Sequence, residues 1–319
     1  MLSYDTINFH LPINGFENIE NAPITQKLSN RRYVKNSEKE TIKITGNINN
    51  YRVMINPFGI YFYGSISKYF LGNNVEPLSI SNTSKAFEMM AEELNLPIKN
   101  AIVSRIDIAD NIRMDYSPEI YLKYFGESNY FKRLLQPNSL YYTNGRKKKV
   151  FYNKIKEMKD KKNNMPSDWN DLYILRFEMR FLKNLSNEFK IQNINIATLL
   201  SDTFLKKISE KWIEGYKSID KIANSDIDFS NIKTPKDFWR QIKASSINEL
   251  GYEKIMQYVD TLKLLNTFKN PESYSRLKRE IRALNKENSK TTKNEFIKEL
   301  DEKIETSKKI FEQNLANIQ

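Results

Sequence analysis

Leu175-Arg176-Phe177-Glu178-Met179-Arg180-Phe181 alternates apolar and charged residues without a break. A strand turns successive side chains to opposite faces. Arg176, Glu178 and Arg180 therefore share one face, with Leu175, Phe177, Met179 and Phe181 on the other. Ser104-Arg105-Ile106-Asp107-Ile108-Ala109-Asp110 follows the same rule, with Arg105 and Asp107 on one face and Ile106 and Ile108 opposite. A third segment, Phe151-Tyr152-Asn153-Lys154-Ile155-Lys156-Glu157, runs from strand into helix. Each alone reads as an amphipathic strand with its polar side in water, and Arg-x-Glu-x-Arg balances its own charge. Together they predict one polar sheet face on which Asp107 and Glu178, with Asp110 and Glu157, could converge. Hard carboxylate oxygens suit Mg²⁺ or Mn²⁺, which need only one or two of them beside a phosphate.

Working outward, period-two alternation with β-branched and aromatic residues dominates to about residue 182. The expected strands are 6–11, 40–46, 51–56, 59–65, 102–108, 139–143, 149–153 and 173–181. Asn49-Asn50 and Pro57-Phe58-Gly59 mark tight connections, and Asn144-Gly145 signals a hairpin. Residues 83–94 and 118–125 read as helices. Beyond residue 186 the pattern turns helical, over 196–215, 235–244, 248–266, 272–285 and 294–315. The last is charged, with a thin apolar stripe (Phe296, Leu300, Ile304, Phe311, Leu315) that suits a partner helix. The expected fold class is α+β: a β-rich antiparallel-sheet domain over 1–188, then an all-helical region over 189–319.

The chain has 319 residues, 51 basic against 39 acidic, one His and no Cys. The absent cysteines exclude disulfides, thiolate metal sites and a cysteine nucleophile. The single His10 excludes any multi-histidine metal cluster, although from the first strand it could itself touch a metal held by other residues. No apolar run nears a membrane span and the N-terminus lacks a signal-peptide layout, so the expected location is cytoplasmic, away from membranes. The net charge of +12 suggests polyanion partners, although Lys outnumbers Arg 38 to 13, as AT-rich coding would produce. Its distribution tells more. From Tyr130 to Lys159 there are nine basic residues and one acidic, interleaved with Tyr130, Phe131, Tyr141, Tyr142, Phe151 and Tyr152. Basic groups for phosphate beside rings for unstacked bases suit single-stranded nucleic acid.

The order of segments from about residue 4 to 185 is YDTINFHL, YGSISKYFLGNN, SRIDIAD, YFKRL, SLYYTNGRKKKVFYNKIKE and LRFEMRF. It resembles the gene II/X family of phage and plasmid replication proteins, related to the initiators of rolling-circle plasmids. The resemblance implies a metal-dependent, origin-specific DNA nickase and ligase. A tyrosine attacks the origin phosphodiester and forms a 5′-phosphotyrosine link, and the freed 3′-OH primes synthesis by a host polymerase, with a host helicase as a further partner. It also implies a metal site built from carboxylates rather than paired histidines.

Carried onto this chain, the resemblance puts the nucleophile at Tyr141 or Tyr142, with Tyr141 favoured and Lys154 as the cation beside it. The two point to opposite faces of a regular strand, so only one can serve. Tyr152 is a further ring, for the core or for base stacking. Asp107 and Glu178 are the expected metal ligands, followed by Glu157 and Asp110. Arg105, Arg176 and Arg180 would contact phosphate or pair with the carboxylates, and Arg146, Lys147, Lys148 and Lys149 would contact the DNA backbone. Two other functions share these features: a relaxase for conjugation or mobilisation, and a non-catalytic origin or single-strand binding protein. The C-terminal helices could bind duplex, recruit a partner or form a homodimer.

Overall fold

Ten segments satisfy their backbone hydrogen bonds by pairing into one antiparallel sheet. The computed structural model describes residues 1–12, 19–38, 40–222, 232–288 and 295–316. The strands are β1 (Ser3–Pro12), β2 (Ser29–Lys35), β3 (Thr41–Ile48), β4 (Tyr51–Asn56), β5 (Gly59–Tyr63) and β6 (Ile102–Met114), then β7 (Lys132–Gln136), β8 (Ser139–Thr143), β9 (Lys147–Asn153) and β10 (Tyr173–Phe181). Their spatial order is β2-β3-β4-β5-β1-β6-β10-β9-β8-β7. The thirteen-residue β6 and the segment quoted first, β10, are therefore central. This is the expected α+β class.

Between the strands lie α1 (Pro23–Lys27), α2 (Ile66–Leu71), α3 (Ile80–Leu94), α4 (Pro118–Leu122) and α5 (Lys154–Asp160). After β10 come α6 (Leu185–Phe189), α7 (Ile196–Leu199), α8 (Asp202–Lys217), α9 (Pro235–Leu250), α10 (Tyr252–Leu264), α11 (Glu272–Asn288) and α12 (Glu295–Ala316). The described residues divide into two compact units, one within 1–122, 127–219 and 300–319, the other within 123–126 and 220–299. The sequence alone set the boundary near residue 188, where strands give way to helices. Helices α6 to α8 lie in the first unit because their apolar residues pack on its sheet. Phe189 meets Phe181 with ring centroids 5.0 Å apart, and Trp212 meets Phe177 at 4.9 Å.

The two faces of the sheet differ as alternation requires. One carries Phe9, Phe62, Ile108, Phe151 and Phe177, all buried. Phe87 of α3 packs edge-on against Phe9, while Phe151 and Phe177 stack at 4.3 Å with rings parallel to within 1°. The opposite face carries most of the charged residues of the central strands, among them Arg105, Asp107, Arg176, Glu178 and Arg180.

The two strands that alternation did not reveal, β2 and β7, are the two edges of the sheet. Both are largely exposed along their length, so neither has an apolar side to alternate with a polar one. Arg31, Arg32, Lys132 and Arg133 put charge on these edges, which discourages pairing with another chain.

In the second unit α9, α10 and α11 enclose Ile247, Val259, Tyr274, Ile281 and Leu284. The sequence reading began a helix at 248. Instead α9 runs through Leu250, and the break falls at Gly251, whose φ of 87° suits glycine best. Asn294, taken as the first residue of the last helix, lies outside the described residues.

Phe177 is fully buried between Phe151 and Trp212. Phe177→Ala is expected to cost about 3–5 kcal/mol, the usual range for a buried aromatic. A thermal melt followed by circular dichroism would read this as a large fall in Tm.

Candidate active site

Antiparallel partners share a face, so the register places the candidate residues on a grid. One row across the sheet reads Asn111, Arg176, Tyr152, Ser139 and Gln136 on β6, β10, β9, β8 and β7. The next reads Ala109, Glu178, Val150, Tyr141 and Leu134, and the third Asp107, Arg180, Lys148, Thr143 and Lys132. Asp107, Arg176, Glu178, Arg180, Tyr152, Lys148 and Tyr141 thus all lie on the polar face. At the usual strand spacing Tyr141 stands about 10 Å from Glu178, two strands away.

The charged groups form a closed network. Arg176 is 4% exposed; its Nε donates to Glu178 Oε1 at 2.7 Å and its Nη2 to Asp5 Oδ2 at 2.8 Å. Its Nη1 donates to Asn111 Oδ1 at 3.0 Å and to the Asn74 carbonyl at 3.2 Å. Glu178 also accepts from the Tyr152 hydroxyl at 2.7 Å and from Arg180 Nε at 2.8 Å. Arg105 clasps Asp107 with two bonds, Nε to Oδ1 at 2.8 Å and Nη2 to Oδ2 at 2.6 Å. Arg180 Nε lies 3.8 Å from Asp107 Oδ2 and so joins the two carboxylates.

Their electrostatics diverge. Burial raises the Glu178 carboxyl, but the Arg176 and Arg180 guanidiniums outweigh it and bring the pKa down to about 2. At Asp107 burial wins over Arg105 and Arg180, and the pKa is pushed up to about 6. Burial, Glu178 and Glu157 hold the Tyr152 phenol well above its ordinary range, although Arg176 opposes them. Tyr152 is thus a hydrogen-bond donor to Glu178.

A cleft of about 360 Å³ opens beside this network, lined by Tyr141, Tyr152, Glu157, Lys161, Asn138 and Arg180 among others. Tyr141 is half-buried there, and its hydroxyl has no hydrogen-bond partner among the described residues. Tyr142, the other candidate, is fully buried on the opposite face. Lys154 is 1% exposed and donates to Glu157 Oε2 at 2.9 Å and Asn74 Oδ1 at 3.0 Å. Burial and the nearby Arg176 lower its pKa. Burial raises the Glu157 carboxyl, but Lys161 and Lys154 bring it below the ordinary value.

Several expected residues lie elsewhere. Asp110 pairs with Phe177 in register, which puts it on the helix-covered face away from Asp107 and Glu178; there it meets the Met1 amine at 2.7 Å. Lys149, expected on the DNA backbone, is 1% exposed on that same face. It donates to Ser128 Oγ at 2.6 Å and Ser218 Oγ at 2.8 Å, and its ammonium sits 4.3 Å from the Phe131 ring centre. Lys147 reaches Glu188 at 3.0 Å. The basic run splits because successive residues of a strand point to opposite faces, Lys147 and Lys149 to one and Lys148 to the other. Arg146 is exposed in the turn and Lys148 half-buried on the polar face. His10 stacks on Tyr61 at 5.3 Å opposite Ile102, five residues along β6 from Asp107. Among the described residues no group of three or more His, Asp or Glu could hold a metal ion.

Asp5, Asn74 and Asn111 belong to the network although the sequence did not single them out. Asp5 carried a signal, an acid between Tyr4 and Ile7 within an apolar strand. Two register shifts in β1 break the alternation that would have assigned its face.

The site is thus an antiparallel sheet carrying a buried carboxylate–arginine network beside a tyrosine-lined cleft. Residues 4–201 match the phage CRI family, described as the N-terminal part of a replication-associated protein. That stretch is well over half of the chain, and the chain belongs to this phage replication-associated family. No curated protein matches it. No helix among the described residues is long and apolar enough to cross a membrane.

The two carboxylates should respond oppositely to removal of charge. The folded pKa of Glu178 lies below the ordinary 4.5, so its stabilisation is present above that value and lost as pH falls through about 2. Glu178→Gln leaves two guanidiniums short of an anion, one of them fully buried, and should cost about 3–5 kcal/mol at pH 7. The folded pKa of Asp107 lies above 3.8, so the benefit of its proton is full below 3.8 and lost as pH rises through about 6. The Tm of Asp107→Asn should therefore improve relative to the unaltered protein between pH 4 and pH 8. Paired melts across that range check both signs.

Proposed function

We propose that this chain is a replication initiator that nicks and rejoins one strand of origin DNA, with Tyr141 as the nucleophile. One observation carries the reading: Tyr141 faces the cleft on the side of the sheet that bears Glu178, Asp107 and the arginines, whereas Tyr142 is buried on the other. The Tyr141 oxygen attacks the scissile phosphorus as the bond to the 3′ oxygen breaks, leaving a 5′-phosphotyrosine link and a free 3′-OH. Glu157, lining the same cleft, takes the phenolic proton, and the departing 3′ oxygen gains one. Attack by a 3′-OH on the phosphotyrosine reverses the step and rejoins the strand. Arg180 and Lys148 lie in the row beside Tyr141 and neutralise the phosphate, with Arg105 next along β6.

Asp107 and Glu178, two hard carboxylates on neighbouring strands, would hold Mg²⁺ or Mn²⁺ in exchange for part of their pairing with Arg105 and Arg180. The chemistry such a cation would supply there is polarisation of a phosphoryl oxygen. The freed 3′-OH is then available to a host polymerase, and the displaced strand to a host helicase.

Incubating the protein with a labelled origin single strand and Mn²⁺ should give an adduct that survives denaturant. Tyr141→Phe should abolish it, while Tyr142→Phe, which removes a hydroxyl buried on the opposite face, should keep it. An adduct from Tyr141→Phe would refute the assignment. Chelation of divalent cations should also remove the adduct, and added Mn²⁺ should restore it. Asp107→Ala and Glu178→Ala should each remain inactive with Mn²⁺ present.

A further inference from the structure

The polar face continues past Asp107 onto β1, β5 and β4, where a second cavity of about 580 Å³ opens. Its volume lies within the range of roughly 300–1,000 Å³ usual for small-ligand sites. Arg52, Tyr63, Asn8 and Arg105 are among the residues lining it, and no carboxylate is among them. Arg52 is exposed and has no ion-pair or hydrogen-bond partner among the described residues. Every arginine of the carboxylate network, by contrast, is tied to an acid. Tyr63 stands opposite Arg52 in the β4–β5 register and is 39% exposed. In the next row His10 stacks on Tyr61, within 13° of parallel, with Met54 beside them.

The cavity is joined to the candidate active site by shared residues. Arg105 lines it and also clasps Asp107. Ser65 lines it too, and its hydroxyl donates to Asp5 Oδ1 at 2.7 Å, the same carboxylate that holds Arg176. A guanidinium with no counter-charge beside an exposed ring can hold a phosphate while the ring stacks a base. From β8 to β4 is six strands, roughly 29 Å at the usual spacing, a span for several nucleotides of an extended strand.

We propose that the pocket between Arg52 and Tyr63 is a subsite for one nucleotide of single-stranded DNA, its phosphate on Arg52 and its base against Tyr63. It rests on the nicking reading for the direction in which the strand runs, from the Tyr141 cleft across the polar face. Arg52 and Tyr63 have no part in the bond-breaking chemistry, so they act on affinity.

The test is fluorescence anisotropy of the full chain with a short fluorescein-labelled oligothymidine over a salt series. Tyr63→Ala should weaken binding on the order of tenfold, as loss of one base–ring stack does, and Tyr63→Phe should bind as the unaltered protein. Arg52→Ala should lower the slope of log affinity against log salt by about 0.7, one phosphate contact on a single strand. Both side chains are exposed, so each variant should keep its melting curve, and that is checked first. Unchanged affinity and slope in both variants, or failure of the unaltered protein to bind the strand, would overturn the subsite. The two readings fail separately. Weakened variants from a protein that forms no covalent adduct would keep the pocket and remove the nickase. An adduct-forming protein whose pocket variants bind normally would do the reverse.

Discussion

Arg176 holds the centre of the molecule together. A buried guanidinium is costly unless each of its donors finds an acceptor, and here they go to Glu178, Asp5, Asn111 and the Asn74 carbonyl. Those partners come from β10, β1, β6 and the segment after α2, so the charge is satisfied only when all four are in register. A slip of one residue in β10 would turn Arg176 into the apolar layer beside Trp212 and expose Phe177. The network contributes register as well as chemistry, and the apolar stack of Phe151, Phe177 and Trp212 enforces the same choice from the other side.

The same alternation explains why the polar face can carry a cleft lined by charged groups. The apolar packing lies on the helix-covered face, which also holds a lysine, Lys149, between two serine hydroxyls and aromatic rings. The other face is free to hold groups whose charges conflict. Asp107 and Glu178 sit on adjacent strands and share Arg180, yet burial leaves one carboxyl far easier to protonate than the other. Two acids with such different proton affinities on one surface are chemically distinct despite their similar side chains.

How much of this was legible depended on burial. β6 and β10 were readable because buried apolar residues (Ile106 and Ile108; Leu175, Phe177, Met179 and Phe181) alternate there with charged ones (Arg105 and Asp107; Arg176, Glu178 and Arg180). β2 and β7 were not, since an edge strand exposed on both sides carries no such signal. Asp107 and Glu178 could be paired from the sequence by parity, and the same parity argues against Asp110, three places from Asp107 and so on the other side. The run from Arg146 to Lys149 misled because a charge cluster reads as one patch in a sequence and divides across two surfaces in a strand. Asp5 was hidden by the bulges of β1, and Asn74 by lying in a loop where periodicity says nothing.

The pairing of the strands also makes the polar face a ruler with discrete steps. Positions on it recur about every 6.8 Å along a strand and about 4.8 Å across strands, and nothing lies between. Tyr141 occupies one mark, with Ser139 and Thr143 the next marks on the same strand. A tyrosine moved to either would keep its face and advance by a whole step, whereas moved by one residue it would leave the surface altogether. On the reading proposed above, the point of attack on a bound polymer is set by counting backbone pairs. A lineage could shift it only by jumps, without passing through intermediate positions.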